Sequence, residues 1–200
     1  MINKKKIENF KVYAGEACKE QYMFERFLES MGVIDNDKIK SQQDFQKKYS
    51  GFTFMNGLYR LHKFDEIDKW TKIVERAFPG IKGDIEVFAF DWMGRQFAIS
   101  KSTKQVLMIE PGTGEVFEIP ADFRNFHDTE IADYSEDALS ADFFAEWYAS
   151  EFGQDIPYNQ CLGYKEPLFT EGEDSMENLE LQDLTSYWQR MTDLMKKEIF

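Results

Sequence analysis

Between residues 85 and 119 three or four strands are expected in quick succession, 85–90, 96–100, 105–109 and 115–119, with only a few residues between them. The joining stretches are Asp91-Trp92-Met93-Gly94, Ser100 to Lys104, and Pro111-Gly112-Thr113-Gly114. A parallel crossover needs about a dozen residues or more, so connections this short join antiparallel neighbours and the region reads as a meander. Segment 85–90 is apolar on both faces, which predicts a central strand covered on both sides.

The flanking patterns are mostly helical. Tyr22, Phe24, Phe27, Leu28 and Met31 recur at helical spacing over 20–31, with Gly32 as the C-cap. Asp37 or Ser41 can cap a short helix around Phe45 and Tyr49. Asn56-Gly57 accepts the positive φ angles of a type I′ turn, so 52–55 and 58–61 read as a hairpin. Asp65 is placed to cap a helix carrying Ile67, Trp70, Ile73, Val74 and Ala77, which Pro79-Gly80 ends. Residues 120–152 read as helix again, with Ser140 capping the segment of Phe143, Phe144, Trp147 and Tyr148. Leu179 and Leu181 alternate briefly with polar residues. Asp183 then caps a last helix bearing Leu184, Tyr187, Trp188, Met191, Leu194 and Met195, whose Lys196 and Lys197 suit the negative end of the helix dipole. The expected fold is α+β: a central antiparallel β-sheet, a meander, flanked by α-helices. Two regions are expected, 1–120 with the sheet and 121–200 mainly helical, the second packed on the first as one unit.

Charge narrows the function. Residues 105–189 hold twenty Asp and Glu but only two basic side chains, Arg124 and Lys165, within a chain of net charge −13. Such a segment repels nucleic acid and anionic membrane surfaces, and it attracts a basic partner. A plain solubilising surface is the competing reading of the same charge. Nineteen Phe supply a core without staples. Cys18 and Cys161 form no C-x-x-C or Cys/His cluster and read as buried free thiols, which places the chain in the cytoplasm. Lys4-Lys5-Lys6 is followed by charged residues where a signal peptide needs an apolar run, and no apolar stretch is long enough to span a membrane.

No catalytic, metal or cofactor motif is legible. His62 falls on a predicted strand and His127 beside Asp128 and Glu130, where a structural histidine is the expectation. Pro111-Gly112-Thr113-Gly114 joins two strands rather than opening a helix, so it lacks the dipole of a phosphate site. Glu171-Gly172-Glu173-Asp174 lacks the ligand spacing of a calcium loop. The expectation is a protein that is not an enzyme and binds no cofactor.

Three blocks of sequence carry a family likeness: Phe90-Asp91-Trp92-Met93-Gly94-Arg95-Gln96-Phe97-Ala98; Glu110-Pro111-Gly112-Thr113-Gly114-Glu115-Val116; and Gly163-Tyr164-Lys165-Glu166-Pro167-Leu168-Phe169, followed by Gly172, Asp174, Glu177-Asn178-Leu179 and Tyr187-Trp188. Together they resemble a bacterial immunity-protein family, in which a GAD-like N-terminal region joins the C-terminal domain of type VI secretion DNase-immunity proteins. The likeness runs from about residue 50 to 190. It departs at Thr170-Glu171-Gly172-Glu173-Asp174, where the family carries Leu-Gly-Gly before the acidic residue. The resemblance implies a cytoplasmic antidote of the toxin-antitoxin kind that binds a cognate protein toxin, often a nuclease, and blocks it sterically. A nuclease needs a basic groove for phosphate, so the acidic half fits that implication. The alternative is a regulatory or scaffolding module that binds a cellular protein without a toxin partner.

The candidate contact residues are Glu171, Glu173, Asp174 and Glu177 in the polar loop, with Asp128, Glu130 and Asp133 as a second patch. Lys165, the one base in a long acidic stretch, is either a further contact or half of a structural ion pair.

Overall fold

The computed structural model describes residues 23–35, 37 and 39–198. The expectations for Lys4 to Lys6, Cys18 and the start of helix 20–31 lie outside the described residues.

Six strands form one sheet in the order β1 (Thr53–Phe54), β2 (Tyr59–Leu61), β3 (Ile85–Asp91), β4 (Gln96–Ser100), β5 (Val106–Glu110) and β6 (Glu115–Ile119). Every neighbouring pair is antiparallel. The expected meander is there, with strand ends displaced by one residue at most. Helices α1 (Glu25–Ser30), α2 (Gln42–Lys48) and α3 (Ile67–Ala77) come from the first part of the chain. After the sheet follow α4 (Phe123–Asn125), which runs on as a π-helical turn over Phe126–Ile131, then α5 (Ser135–Leu139) and α6 (Ala141–Ala149). The chain closes with β7 (Gln160–Tyr164), β8 (Leu179–Asp183) and α7 (Leu184–Glu198), β7 and β8 pairing as a separate antiparallel ribbon. This is an α+β fold. No helix among the described residues is long and apolar enough to cross a membrane.

β3 is the central strand the pattern predicts, and a bulge explains how it serves two layers. Val87 pairs with Ala98 and Ala89 with Phe97, leaving Phe88 as the extra residue. An extra residue shifts the alternation, so Phe88 and Phe90 face opposite sides. Phe88 packs on Phe123 (ring centroids 4.8 Å) and Phe126 (6.0 Å). Phe90 meets His62 (4.6 Å) and Trp70 of α3 (6.4 Å).

His127 is sealed at the centre of the first layer, among Phe24, Phe27, Phe45, Tyr59, Phe88, Phe123 and Phe126. Its Nδ1 lies 2.7 Å from the Phe123 carbonyl oxygen, which can only accept, so the proton sits on Nδ1. Nε2 then accepts from the Tyr59 hydroxyl at 2.9 Å. Burial pulls the ring's pKa down to about 3, so it stays neutral. His62 is also buried, bonded to Gln96 at 2.7 Å, and pulled down to about 3 by burial. Both histidines are buried and hydrogen-bonded inside the fold.

The C-terminal elements are riveted to the β3–β4 turn. Trp188 of α7 donates its indole N–H to the Gly94 carbonyl (2.8 Å), Leu162 of β7 donates its amide to the Trp92 carbonyl (2.7 Å), and Trp92 donates its indole N–H to the Leu139 carbonyl (2.8 Å). Buried side chains from both sides of residue 120 belong to one continuous cluster, Trp92, Phe97 and Trp188 among its fully buried members. Cys161 is a buried free thiol within it.

Three local expectations are corrected. The hairpin loop is four residues, Met55 to Leu58, because Phe54 pairs with Tyr59. Its φ angles at Met55, Asn56 and Gly57 are all positive. The cause is tertiary: the Asn56 carbonyl accepts from the Ile156 amide (3.1 Å), and a Cβ on Gly57 would stand 2.7 Å from that of Ile156. Gly57→Ala is therefore expected to cost about 2 kcal/mol in urea unfolding, from the combined clash and φ of 109°. Asp65 does not cap α3. It lies in a short 3₁₀ turn over Phe64–Glu66, and the helix start has no side-chain cap. Ser140 likewise gives α6 no side-chain cap. Its left-handed backbone (φ 53°) ends α5 and starts α6 in one step, breaking the helix expected over 120–152. The caps at Ser41, whose hydroxyl accepts from Asp44 N, and at Asp183, which accepts from Ser186 N at 2.8 Å, are as expected.

Candidate partner-binding surface

The acidic loop between β7 and β8 is built around Asn178. Its side-chain oxygen accepts from the Glu166 amide (3.0 Å), and its NH2 group donates to the main-chain oxygens of Glu166 and Glu173, both at 2.8 Å. Its own carbonyl accepts from the Lys165 amide at 2.7 Å. Gly172 must be small here, since a Cβ would come within 2.1 Å of the Glu166 oxygen. Arg190 of α7 reaches over to the main-chain oxygens of Lys165 (2.9 Å) and Tyr164 (2.6 Å). The Leu168 amide donates to Gly112 across to the β5–β6 turn at 2.8 Å.

The main-chain groups of this loop are thus widely used within it, while Glu171, Glu173 and Glu177 point their carboxylates outward. All three are exposed, and among the described residues their carboxylates have no hydrogen-bond or ion-pair partner. Asp174, also exposed, accepts from the Tyr164 hydroxyl at 2.7 Å. Among the described residues Lys165 has no carboxylate partner for the ion pair weighed for it. Its Nζ donates to the main-chain oxygen of Glu177 at 2.6 Å, which ties the loop's two ends.

The second patch is put to other use. Asp128 is 8% exposed, and its carboxylate accepts from the amides of Phe24 (2.8 Å) and Phe27 (3.3 Å). It caps α1, whose own flanking residue Phe24 offers no side-chain cap. Arg124 Nε stands 3.5 Å from the same carboxylate. Asp128 is therefore not a surface contact: it is sequestered by helix capping. Asp133 forms an ion pair with Arg26 of α1, and Glu130 is half-buried. Asp128 and Asp133 brace α1, whereas the four loop residues stand together on the ribbon.

The structure adds a carboxylate that the sequence did not single out. Glu110, at the end of β5, is half-buried below the acidic loop. Burial pushes its carboxyl up to about 7, Arg95 opposing this and Asp91, Asp174 and Glu115 adding to it. That mutual influence joins the β5–β6 turn and the acidic loop into one negative region. Beneath it Arg95 and Asp91 form a buried ion pair, Nε to Oδ2 at 2.5 Å. Asp91 also accepts from the amides of Met93 and Arg95, both at 3.0 Å. The Asp-x-x-x-Arg spacing of the first family-like block thus closes the β3–β4 turn. Among the described residues no group of three or more His, Cys, Asp or Glu is arranged to hold a metal ion.

No family model matches the chain, and no curated protein matches it. Among solved structures it is similar to Atu4351 from Agrobacterium tumefaciens, with a TM-score of 0.58 and 18% identity over 85% of this chain and 88% of that one. At that identity the likeness is one of fold.

Proposed function

We propose that this chain is a non-enzymatic immunity-type protein that binds a cognate, basic protein toxin in the cytoplasm and neutralises it by occupying its charged groove. A nuclease is the toxin class whose groove such a surface fits. The observation that carries this reading is the braced loop presenting Glu171, Glu173 and Glu177 with no partner of their own, beside Asp174. Holding the loop in advance reduces the ordering cost of docking, and a field of one sign speeds the encounter with a basic protein.

Co-expression with the toxin is expected to restore growth, and the pair is expected to purify in a fixed stoichiometry. Glu171→Lys, Glu173→Lys and Glu177→Lys together are expected to slow association about tenfold at low salt and to flatten its salt dependence, as read by stopped-flow mixing. These side chains are exposed, so the fold should be unaffected. Association that ignores both salt and the three substitutions would remove the electrostatic part of the proposal. Failure of rescue, with stable capture of a different cellular protein, would favour the scaffolding alternative.

A further inference from the structure

The meander ends in a strand that is open along its outer side. β6 is last in the sheet order, and Glu115, Val116, Phe117 and Glu118 are all exposed, Val116 at 37% and Phe117 at 41%. Among the described residues, its main chain bonds outside the β5 ladder only at its ends. There the Glu115 amide reaches Thr113 Oγ1 (3.3 Å) and the Ile119 carbonyl accepts from Ala121 (2.7 Å). An open edge is a template for any extended chain, and proteins guard such edges with charge, proline or cover.

The guards here are selective. Glu115 and Glu118 occupy opposite faces of the strand by alternation, and Pro120 follows its end without an N–H to offer. Opposed residues of an antiparallel pair share a face, so a second copy pairing about Val116 would set Glu115 diagonally against its own counterpart, and one pairing about Phe117 would do the same for Glu118, like-charge neighbours that weaken the ladder. An extended segment carrying Lys or Arg meets attraction at the same places. No basic residue occurs from 105 to 123, and Glu110 stands directly across the ladder from Glu115. The edge is therefore closed to its own kind and open to a basic strand.

We propose that β6 is a strand-addition site for an extended basic segment of a protein partner, which joins the sheet as a seventh strand. Its main chain takes up the free edge of β6, its Lys or Arg side chains face Glu115 and Glu118, and its apolar side chains cover Val116 and Phe117. This rests on the acidic half being a docking face for a basic protein and adds the manner of docking.

The test is a titration of the ¹⁵N-labelled chain with a short Lys-Val peptide of repeating Lys-Val-Val-Lys, whose order sets Lys opposite Glu115 and Glu118 and Val opposite Val116 and Phe117, followed by amide exchange. A Lys-Pro peptide of repeating Lys-Pro-Pro-Lys carries the same charge and lacks ladder N–H groups on both of its edges. The expected result is shift changes and slowed exchange centred on 115–119 with the Lys-Val peptide and none there with the Lys-Pro peptide. Glu115→Lys with Glu118→Lys should weaken binding about tenfold, and Glu115→Gln with Glu118→Gln should fall between. If both peptides act equally and perturb 171–177 instead, strand addition is wrong while acidic docking stands. If neither perturbs the chain at millimolar concentration, strand addition and the electrostatic reading fail together. A dimer in sedimentation that the β6 substitutions dissolve would overturn the proposal in favour of self-pairing.

Discussion

Replacing Arg60 by leucine is expected to destabilise the protein by about 3 kcal/mol in denaturant unfolding, although Arg60 is a charge buried at 0% exposure. The guanidinium donates to the carbonyl oxygens of Pro157 (3.0 Å), Gln160 (2.5 Å) and Asp91 (2.7 Å), and it lies 4.5 Å from the centre of the Phe90 ring. Leucine fills part of the space but removes three charge-assisted bonds, worth about 1.5–3 kcal/mol each, although the Pro157 and Asp91 carbonyls keep the Gln160 (3.0 Å) and Gly94 (3.1 Å) amides. Against this stands the relief of no longer burying a charge, since burial pulls the Arg60 pKa down to about 10. The three lost bonds and the lost packing on Phe90 outweigh that relief. Arg60→Lys should lose nearly as much, because a single ammonium cannot serve oxygens spread over two segments in the way a planar fork does. The same bonds hold the approach to β7, so proteolysis within 150–160 should accelerate in both variants. Stability within about 1 kcal/mol of the unaltered chain would mean that the carbonyls find other donors and that Arg60 is not the fastener.

Glu110→Gln is expected to stabilise the protein by about 2 kcal/mol at pH 8 and hardly at all at pH 4. The fold keeps the Glu110 proton up to about pH 7, whereas an unfolded chain releases it near the ordinary glutamate value of 4.5. Across that window the folded state binds more protons, so stability declines as pH rises from about 4.5 to about 7 and stays lower above it. Glutamine carries no charge to bury and should flatten this slope. Unfolding curves for both proteins at pH 4, 6 and 8 decide the matter. A constant offset at all three values would assign the effect to packing and not to ionisation.

The sheet was readable because its determinants are local. Short turns permit only antiparallel neighbours, and the apolar run Val87 to Phe90 marks a strand with both faces covered. The same holds for Ser41 and Asp183, whose caps act within three residues. What the sequence hid is decided over long distances. Asn56-Gly57 is a hairpin signal by itself, but Ile156, a hundred positions on, sets its loop geometry. Asp128 has the composition of a surface acid, yet its carboxylate is consumed by amides of a helix 101 and 104 residues earlier. The acidic loop was found by charge alone. Its organiser, Asn178, is one amide among many until its hydrogen bonds across the loop are seen, and Glu110 differs from any other strand-end glutamate only through neighbours contributed by the turn, the loop and β3.

The two borders of the sheet are unequal. β6 offers five residues, but β1 offers only Thr53 and Phe54. Head-to-tail polymerisation of the chain would require each molecule to match its long border with the next one's short border, and two residues give too few main-chain bonds to hold such a junction. A sheet with a single usable margin takes on one guest and stops, so this architecture favours discrete complexes over fibres even at high concentration.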